Sequence, residues 1–524
     1  MLQFLVSWLP SACIVLVLYK TLSDVLRRIA ITQKAKELGC EQPVQYPHFE
    51  NILGFDLFLG TKRALDNHRL LEYVLERFTK YGRTHQMMAM GIPVISTIEP
   101  ENVKTVLSLK FKDFGLGERR KTSFWPLLGQ GIFTTDGGAW EHSRALLRPN
   151  FTRAQVADLA TFEAHIQDLI ASIPFDGSTV DLQDLFFRLT LDSATEFLFG
   201  ESCNSLAPGK KLQSAVDFAS AFNYTQDAIG HASRLGPLGA FRFDPRFKRD
   251  TKTVHDFVDK YVQRAIAYRK GETEKEVGDE HRYVFLHELS RTTDDPIRLR
   301  SELLNVLLAG RDTTASLLGN TWFILARRPD IWAKLRAEVD VLCGEAPSYE
   351  QIKEMKYLRY VLNECESALP NSPSSQYEKL ILAFLALRLM PVVPLNGRTA
   401  IRDTVIPTGG GPNGTSPIFV PKDTAVAYPV YVMHRRRDFF GEDADDFNPD
   451  RWEKLRPGWE YLPFNGGPRI CLGQQFALTE ASYTTVRLMQ RVKSIESRDD
   501  KPWTESLTLT CCSLHGTQVS LTPM

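Results

Sequence analysis

The sequence predicts a mainly α fold with a small β-rich subdomain and an N-terminal membrane-anchor helix. Three observations carry this expectation. Long runs of apolar residues recur at helical spacing, short extended pieces cluster at 84–97 and again after 390, and an uncharged apolar run opens the chain. At 524 residues the length alone allows about three or four domains. No Gly/Ser linker, low-complexity tract or internal repeat divides the chain, so one large globule is expected. The formal net charge of zero leaves no electrostatic footprint for nucleic acid. The eight cysteines (13, 40, 203, 343, 365, 471, 511 and 512) show no paired spacing and no zinc pattern. They read as free thiols in a reducing compartment. Glycosylation-type triplets begin at Asn150, Asn223 and Asn413, and a cytosolic domain leaves them unused.

From the N-terminus onward, Leu2 to Tyr19 carries no charge and is long enough to cross about 27 Å as a helix. Lys20, Arg27, Arg28 and Lys34 follow it and nothing basic precedes it, which places the C-terminal side in the cytosol. Neither a basic leader nor a small-residue cleavage site marks a secretory signal. Gln3, Ser7, Pro10 and Ser11 weaken the span, and a helix lying on the bilayer is the other reading. Residues 1–28 are assigned to the anchor and its basic flank, and 29–524 to one globular domain, with Pro43 and Pro47 stiffening the connection.

Helical runs are expected at 62–81, 99–110, 137–149, 152–173, 181–199, 210–230, 250–270, 296–327, 329–343, 349–365 and 472–491. The tract Pro407–Pro421, with three successive glycines at 409–411, is expected to be a loop, and the charged run 271–282 a solvated connection. The run 296–327 is the most informative helix. Asp294-Asp295-Pro296 is a good start and Pro329 a stop. Between apolar flanks it carries Ala309-Gly310-Arg311-Asp312-Thr313-Thr314, whose Gly, Asp and Thr residues cost about 2 kcal/mol of helix propensity. A buried helix that accepts this loss at its centre predicts a local opening. Ala and Gly leave room for a small ligand, and a threonine hydroxyl can relay protons.

The segment Phe464-Asn465-Gly466-Gly467-Pro468-Arg469-Ile470-Cys471-Leu472-Gly473 has the pattern F-x-x-G-x-R-x-C-x-G and opens the helix at 472–491. Glycines allow a tight turn and close approach to a flat macrocycle. The start of the helix aims N–H groups and a positive dipole end at the sulfur, and Arg469 can reach an anionic substituent. Haem iron held by a cysteine thiolate uses such an arrangement. A buried structural cysteine in a Gly/Pro turn is the other reading of the loop by itself.

These residues resemble the haem-binding signature of the cytochrome P450 monooxygenases, and the resemblance runs over almost the whole chain. It implies a triangular, mostly α fold with a small β-rich side, and haem b with Cys471 as axial thiolate. The block Ala309 to Thr314 resembles the family's oxygen-activation motif, which implies Thr313 as the alcohol and Asp312 as its acidic neighbour. Trp140-Glu141-His142-Ser143-Arg144 places Trp140 and Arg144 one helical turn apart and resembles a W-x-x-x-R motif whose members reach a haem propionate. Arg398 and Arg469 match the family's other propionate partners. Phe447 to Trp452 is similar to its P-x-R-W turn.

One departure stands out. The family carries E-x-x-R on a helix, its two charges locking onto the arginine of that turn. Here Glu364-Cys365 and Leu387-Arg388 are separated by residues 366–386, and removing those 21 residues restores the motif. Pro370 and Pro373 fall where a buried helix should continue. An unspliced intron translated into protein is the hypothesis this motivates; an insertion that loops out while Glu364 and Arg388 still meet is the alternative.

The stretches Phe114–Arg120 and Phe124–Phe133 mix aromatic, aliphatic and glycine residues before the Trp140 helix; in the family this region caps the substrate pocket. With Gly409–Gly414 and Phe464–Gly467 it is similar to the fungal n-alkane and fatty-acid hydroxylase branch. That implies hydroxylation near the end of a long aliphatic chain, with O2 and electrons from NADPH through a separate flavoprotein, NADPH–cytochrome P450 reductase, and cytochrome b5 as a further donor. It also implies a single-pass protein of the endoplasmic reticulum membrane with a cytosolic catalytic domain. A monooxygenase of secondary metabolism, a haem-thiolate isomerase or dehydratase, and a product impaired by residues 366–386 are the other expectations.

Overall fold

The structure, a computed structural model, describes residues 19, 22–23, 25–151, 159–207, 213–234, 243–271, 284–363 and 387–524. All of the apolar run Leu2–Tyr19 except Tyr19, most of the charged run 271–282, and Glu364 with the stretch 366–386 lie outside these residues. Among the described residues no helix is long and apolar enough to cross a membrane.

The helix Pro296–Leu325 is the axle of the molecule. Asp295 caps it by accepting hydrogen bonds from the amides of Ile297 and Arg298, and Pro296 occupies its first turn. Its two halves belong to two different cores. Leu299, Leu303, Leu304, Leu307 and Leu308 pack with the helices Glu118–Leu128, Gln213–Arg234 and Pro245–Lys270. Leu317, Leu318, Trp322 and Leu325 pack with Leu159–Ala171, Pro329–Asp340, Lys356–Asn363 and Gln474–Met489. The helix Leu182–Phe199 contributes to both. The helix is buried almost all round along its middle, so leucines recur on every face, while its buried polar residues find partners, as Asn305 does at the Leu128 and Ser301 carbonyls and Thr321 at the Leu317 carbonyl.

The β-rich side holds a third apolar core. Six strands form its main sheet in the order Val44–Gln45, Thr84–Ala89, Ile92–Thr97, Ala425–Tyr428, Asn396–Ala400 and Phe114–Gly115. Arg398 pairs with Val426 in that sheet, so the register of one central strand fixes where its guanidinium emerges.

Three expectations need correction. The run 62–81 is two helices, Phe55–Asp66 and Leu70–Tyr81, broken where His68 takes a positive φ of 53°. The run 349–365 is likewise interrupted, at Met355. The tract 407–421 is largely a hairpin rather than a loop: Thr404–Gly410 pairs with Ser416–Val420, and its glycines serve the bend, with Gly411 and Gly414 at φ 74° and 68°. A helix absent from the expected runs, Glu118–Leu128, forms despite Pro126, because burial of Phe124, Leu127 and Leu128 outweighs the proline's local cost.

Candidate active site

Cys471 sits at the end of a tightly closed loop. Its amide donates to the Phe464 carbonyl at 3.1 Å, and the Ile470 amide to that of Gly467 at 3.0 Å. Gly467 has φ 68°, and a Cβ there would collide with the Leu107 carbonyl, so this position admits no side chain. The helix Gln474–Met489 begins directly behind the cysteine. Burial pushes the Cys471 thiol up to about 11, opposed by backbone N–H donors at Gly473 and Gln474 and by the Arg144 charge. The residue is desolvated by surrounding protein yet keeps accessible surface, so its thiol opens onto internal space. Left alone it stays protonated at neutral pH; a metal cation would deprotonate it.

Beside this loop the structure gathers guanidinium groups. Arg144 donates to the Ile470 carbonyl at 3.0 Å. Arg469 stacks over Trp140, 4.4 Å from its ring centre, and donates to Thr135 O at 3.0 Å and Asp136 Oδ1 at 2.6 Å. Arg398, buried in the sheet, donates to the Gly397 carbonyl at 2.8 Å. Arg120, which no motif marks, joins them from the helix Glu118–Leu128. Burial first, then the Arg398 charge, push it down to about 10. Arg469 falls to about 9, through burial first, with Asp136 opposing and Arg398, Arg120 and Arg144 adding to the shift. Asp136 is shared with Lys121, at 3.3 Å. The Nε atoms of Arg120, Arg398 and Arg469 are buried without a hydrogen-bond partner among the described residues. Desolvated like charges with unused donors call for an anionic ligand. An iron porphyrin fits: two carboxylates for the arginines, a flat face for the glycine turn and a metal for the thiol.

The central helix presents one open stripe. From Ser301 to Leu325 every residue is buried except Val306, Ala309, Gly310 and Thr313, which share a face at helical spacing. A Cβ added at Gly310 would meet nothing within 4 Å. Thr313 Oγ1 donates to the Ala309 carbonyl at 2.7 Å. Asp312 turns elsewhere. Its buried carboxylate pairs with Arg311 at 2.8 Å and accepts from Gln226 Nε2. Burial raises its pKa, with Arg311 and Gln226 opposing. Acid and alcohol are therefore neighbours in sequence on different faces of the helix.

Arg388, fully buried, donates to the carbonyls of His434 at 3.0 Å, Asp446 at 3.0 Å and Ala444. Arg451 of the P-x-R-W turn also donates to Asp446 O, at 3.2 Å, so the two arginines converge on one carbonyl. Their expected partner Glu364 lies outside the described residues.

Comparison with known proteins agrees with this geometry. The family model named Cytochrome P450 matches residues 51–365 and 386–515. The chain is 47% identical to cytochrome P450 monooxygenase fsdH of Fusarium heterosporum, across 92% of this chain and 83% of that protein. It is 46% identical to cytochrome P450 monooxygenase himC of Aspergillus japonicus, across 92% and 84%. Identity to cytochrome P450 52A12 of Debaryomyces hansenii is 42%, across 99% and 98%. A cysteine loop built for a thiolate ligand, an arginine cluster short of anions and a family match on both sides of residues 366–385 lead to one assignment: the chain belongs to the cytochrome P450 family and is a monooxygenase.

Proposed function

We propose that this monooxygenase hydroxylates a long aliphatic substrate, a fatty acid or n-alkane, near its chain end. The observation that carries the reading is the apolar wall around the site. Phe124, Ile132 and Phe133 from the capping segment, Val306 from the open stripe of the central helix, Leu472 beside the cysteine and Leu509 share one hydrophobic cluster. Such a wall rewards CH2 groups at about 0.8 kcal/mol each.

In this reading Cys471 ligates the iron, and Trp140, Arg144, Arg398 and Arg469, joined by Arg120, hold the propionates. Bound haem supplies activation of O2 and insertion of one oxygen atom into a C–H bond. The chain's own residues orient the substrate, exclude water and manage protons. The Ala309 carbonyl holds the Thr313 proton, and Asp312, which lies on another face of the helix, is the acid that replenishes it through intervening water. Electrons come from a membrane-bound NADPH-dependent flavoprotein reductase, and residues 1–28 anchor the enzyme to the endoplasmic reticulum with its catalytic domain in the cytosol. We also propose that 366–386 is translated intron. The restored E-x-x-R motif and the family match, which passes from residue 365 to 386, support this reading. Continuous in-frame coding across the junction in every mature transcript would contradict it.

Turnover with reductase, NADPH and a panel of fatty acids and n-alkanes of graded length tests the substrate. Alcohols at or next to the chain terminus are expected. Conversion of cyclic or aromatic secondary metabolites, with no aliphatic product, would replace this reading.

A further inference from the structure

A cavity of about 420 Å³ lies between the helices Leu182–Phe199 and Gln213–Arg234, the central helix and the hairpin formed by Glu505–Leu507 and Cys511–Ser513. It is large enough for a small organic molecule. At 3.6 residues per turn, Arg311 and Asp312 line it from flanks of the central helix turned away from the open stripe. Phe187, Leu191, Ala215, Val216 and Ala219 form an apolar side. Gln226, 4% exposed, donates from Nε2 to Asp312, and its Oε1 is buried with no hydrogen-bond partner among the described residues. Arg311, 6% exposed, donates from Nη1 to Asp312 at 2.8 Å, and its Nε is likewise buried without a partner among those residues. Asp227, beside Gln226 on its helix, makes no hydrogen bond or ion pair among them. Asp184 pairs with Arg188 at 2.6 Å and Asp312 with Arg311. Three carboxylates therefore share the lining with two guanidiniums, and the Asp227 charge is the unmatched one. Water can complete the hydrogen bonds, but only a cation balances the charge.

We propose that this cavity binds a small amphipathic amino alcohol, distinct from the substrate of the haem site. Its ammonium donates to the Asp227 carboxylate and Gln226 Oε1, and its hydroxyl oxygen accepts from Arg311 Nε. Its apolar body lies along Phe187, Leu191 and Val216, the last exposed at the rim. Each unused group is matched by one feature of the ligand. An inorganic cation fits less well. Among the described residues no cluster of three His, Cys, Asp or Glu side chains is placed to hold a metal ion, and such an ion leaves the apolar side uncovered.

The electrostatics agree. Burial, then the Asp312 charge, raise the Asp227 carboxyl to about 6, with Arg311 and Arg234 opposing. At neutral pH it is ionised at a cost that an adjacent ammonium removes. Arg234 does not meet that need, since it donates to the Thr508 carbonyl instead. The remaining titratable groups on the lining are the thiols of Cys203 and Cys512, both raised to about 12, chiefly by burial. They stay neutral over the range where Asp227 titrates. An ammonium stays charged well above neutrality, so affinity should fall as pH drops through about 6 and the carboxylate is lost.

Calorimetric titration of the haem-loaded full chain with phenylalaninol tests this, with carbon monoxide on the reduced iron so that the amine nitrogen cannot reach the metal. One equivalent should bind, with the carbon monoxide band unmoved. Phenylpropanol, which lacks the ammonium, should bind about tenfold more weakly, and Asp227→Asn should weaken phenylalaninol by about the same factor. The fall in affinity below about pH 6 should disappear in D227N. Equal binding of phenylalaninol and phenylpropanol, or a D227N affinity and pH profile that do not move, would overturn the proposal. Displacement by lauric acid would place the amine in the substrate pocket and equally overturn it. Absence of binding would assign the cavity to water alone and overturn it too. If D227N loses the thiolate-type band, the pH profile of the unsubstituted chain and the phenylpropanol comparison decide.

Discussion

Arg120 and Arg469 are held near pKa 10 and 9, chiefly by burial, a large cost for groups that ionise above 12 in water. The cluster is therefore a burden without an anionic ligand and an asset with one. Replacing Arg398 by Met should leave the melting temperature of the haem-free chain equal or higher, because one desolvated charge is gone. The same change should weaken haem binding about tenfold, read as faster haem transfer to an acceptor protein. A haem-free chain that loses stability with haem affinity unchanged would assign Arg398 a purely structural role. Trp140, Arg144 and Arg469 were legible in the sequence because each sits at fixed spacing in a motif. Arg120 was not, since Arg119-Arg120 stands in an apolar capping stretch and only the fold shows which of the two turns inward.

At the scale of elements, the central helix tolerates poor helix formers where its stripe opens. Thr313→Ala removes a hydroxyl whose one described bond returns to its own helix, and alanine is the better helix former by ~0.6 kcal/mol. Thermal stability should hold or rise slightly, while product per NADPH falls about tenfold and peroxide rises. Loss of folding instead of coupling would contradict a proton role. This helix was readable because its caps, flanks and stop are all local. The 404–420 hairpin was not: three glycines read as a loop, and the strand pairing that makes them a bend is set by Thr404 opposite Val420. The helix Glu118–Leu128 was hidden for a related reason, since its stability comes from tertiary burial that overrides Pro126. The same scale holds the insertion. Deleting 366–386 should raise the haem-loaded fraction of purified protein several-fold, by rejoining Glu364 to Arg388 on one helical turn. An unchanged fraction would favour a harmless looped insertion.

Across the whole molecule, His434 joins segments far apart in the chain. Its Nδ1 faces the Leu387 carbonyl at 3.2 Å, its Nε2 accepts from the Leu462 amide at 3.0 Å, and its own carbonyl receives Arg388. Burial, reinforced by the Arg388 charge, holds the ring down to about 3. The unfolded chain takes up a proton near pH 6.5 that the folded chain refuses until about pH 3. Stability from this residue is therefore complete above that unfolded value and drains away as pH falls toward the folded one, by an order of ~4 kcal/mol. The urea midpoint should drop between pH 7 and pH 4, and H434Q, though less stable at pH 7, should show a flatter slope over that range. An equal slope in both would move the acid sensitivity elsewhere.

The central claim is that Cys471 ligates haem iron as a thiolate, and the reduced carbon monoxide difference spectrum tests it most directly. It should be recorded on the chain lacking 366–386, with and without Cys471→Ala. The account predicts a thiolate-type Soret band in the first and its loss in the second; the same band in C471A would contradict it.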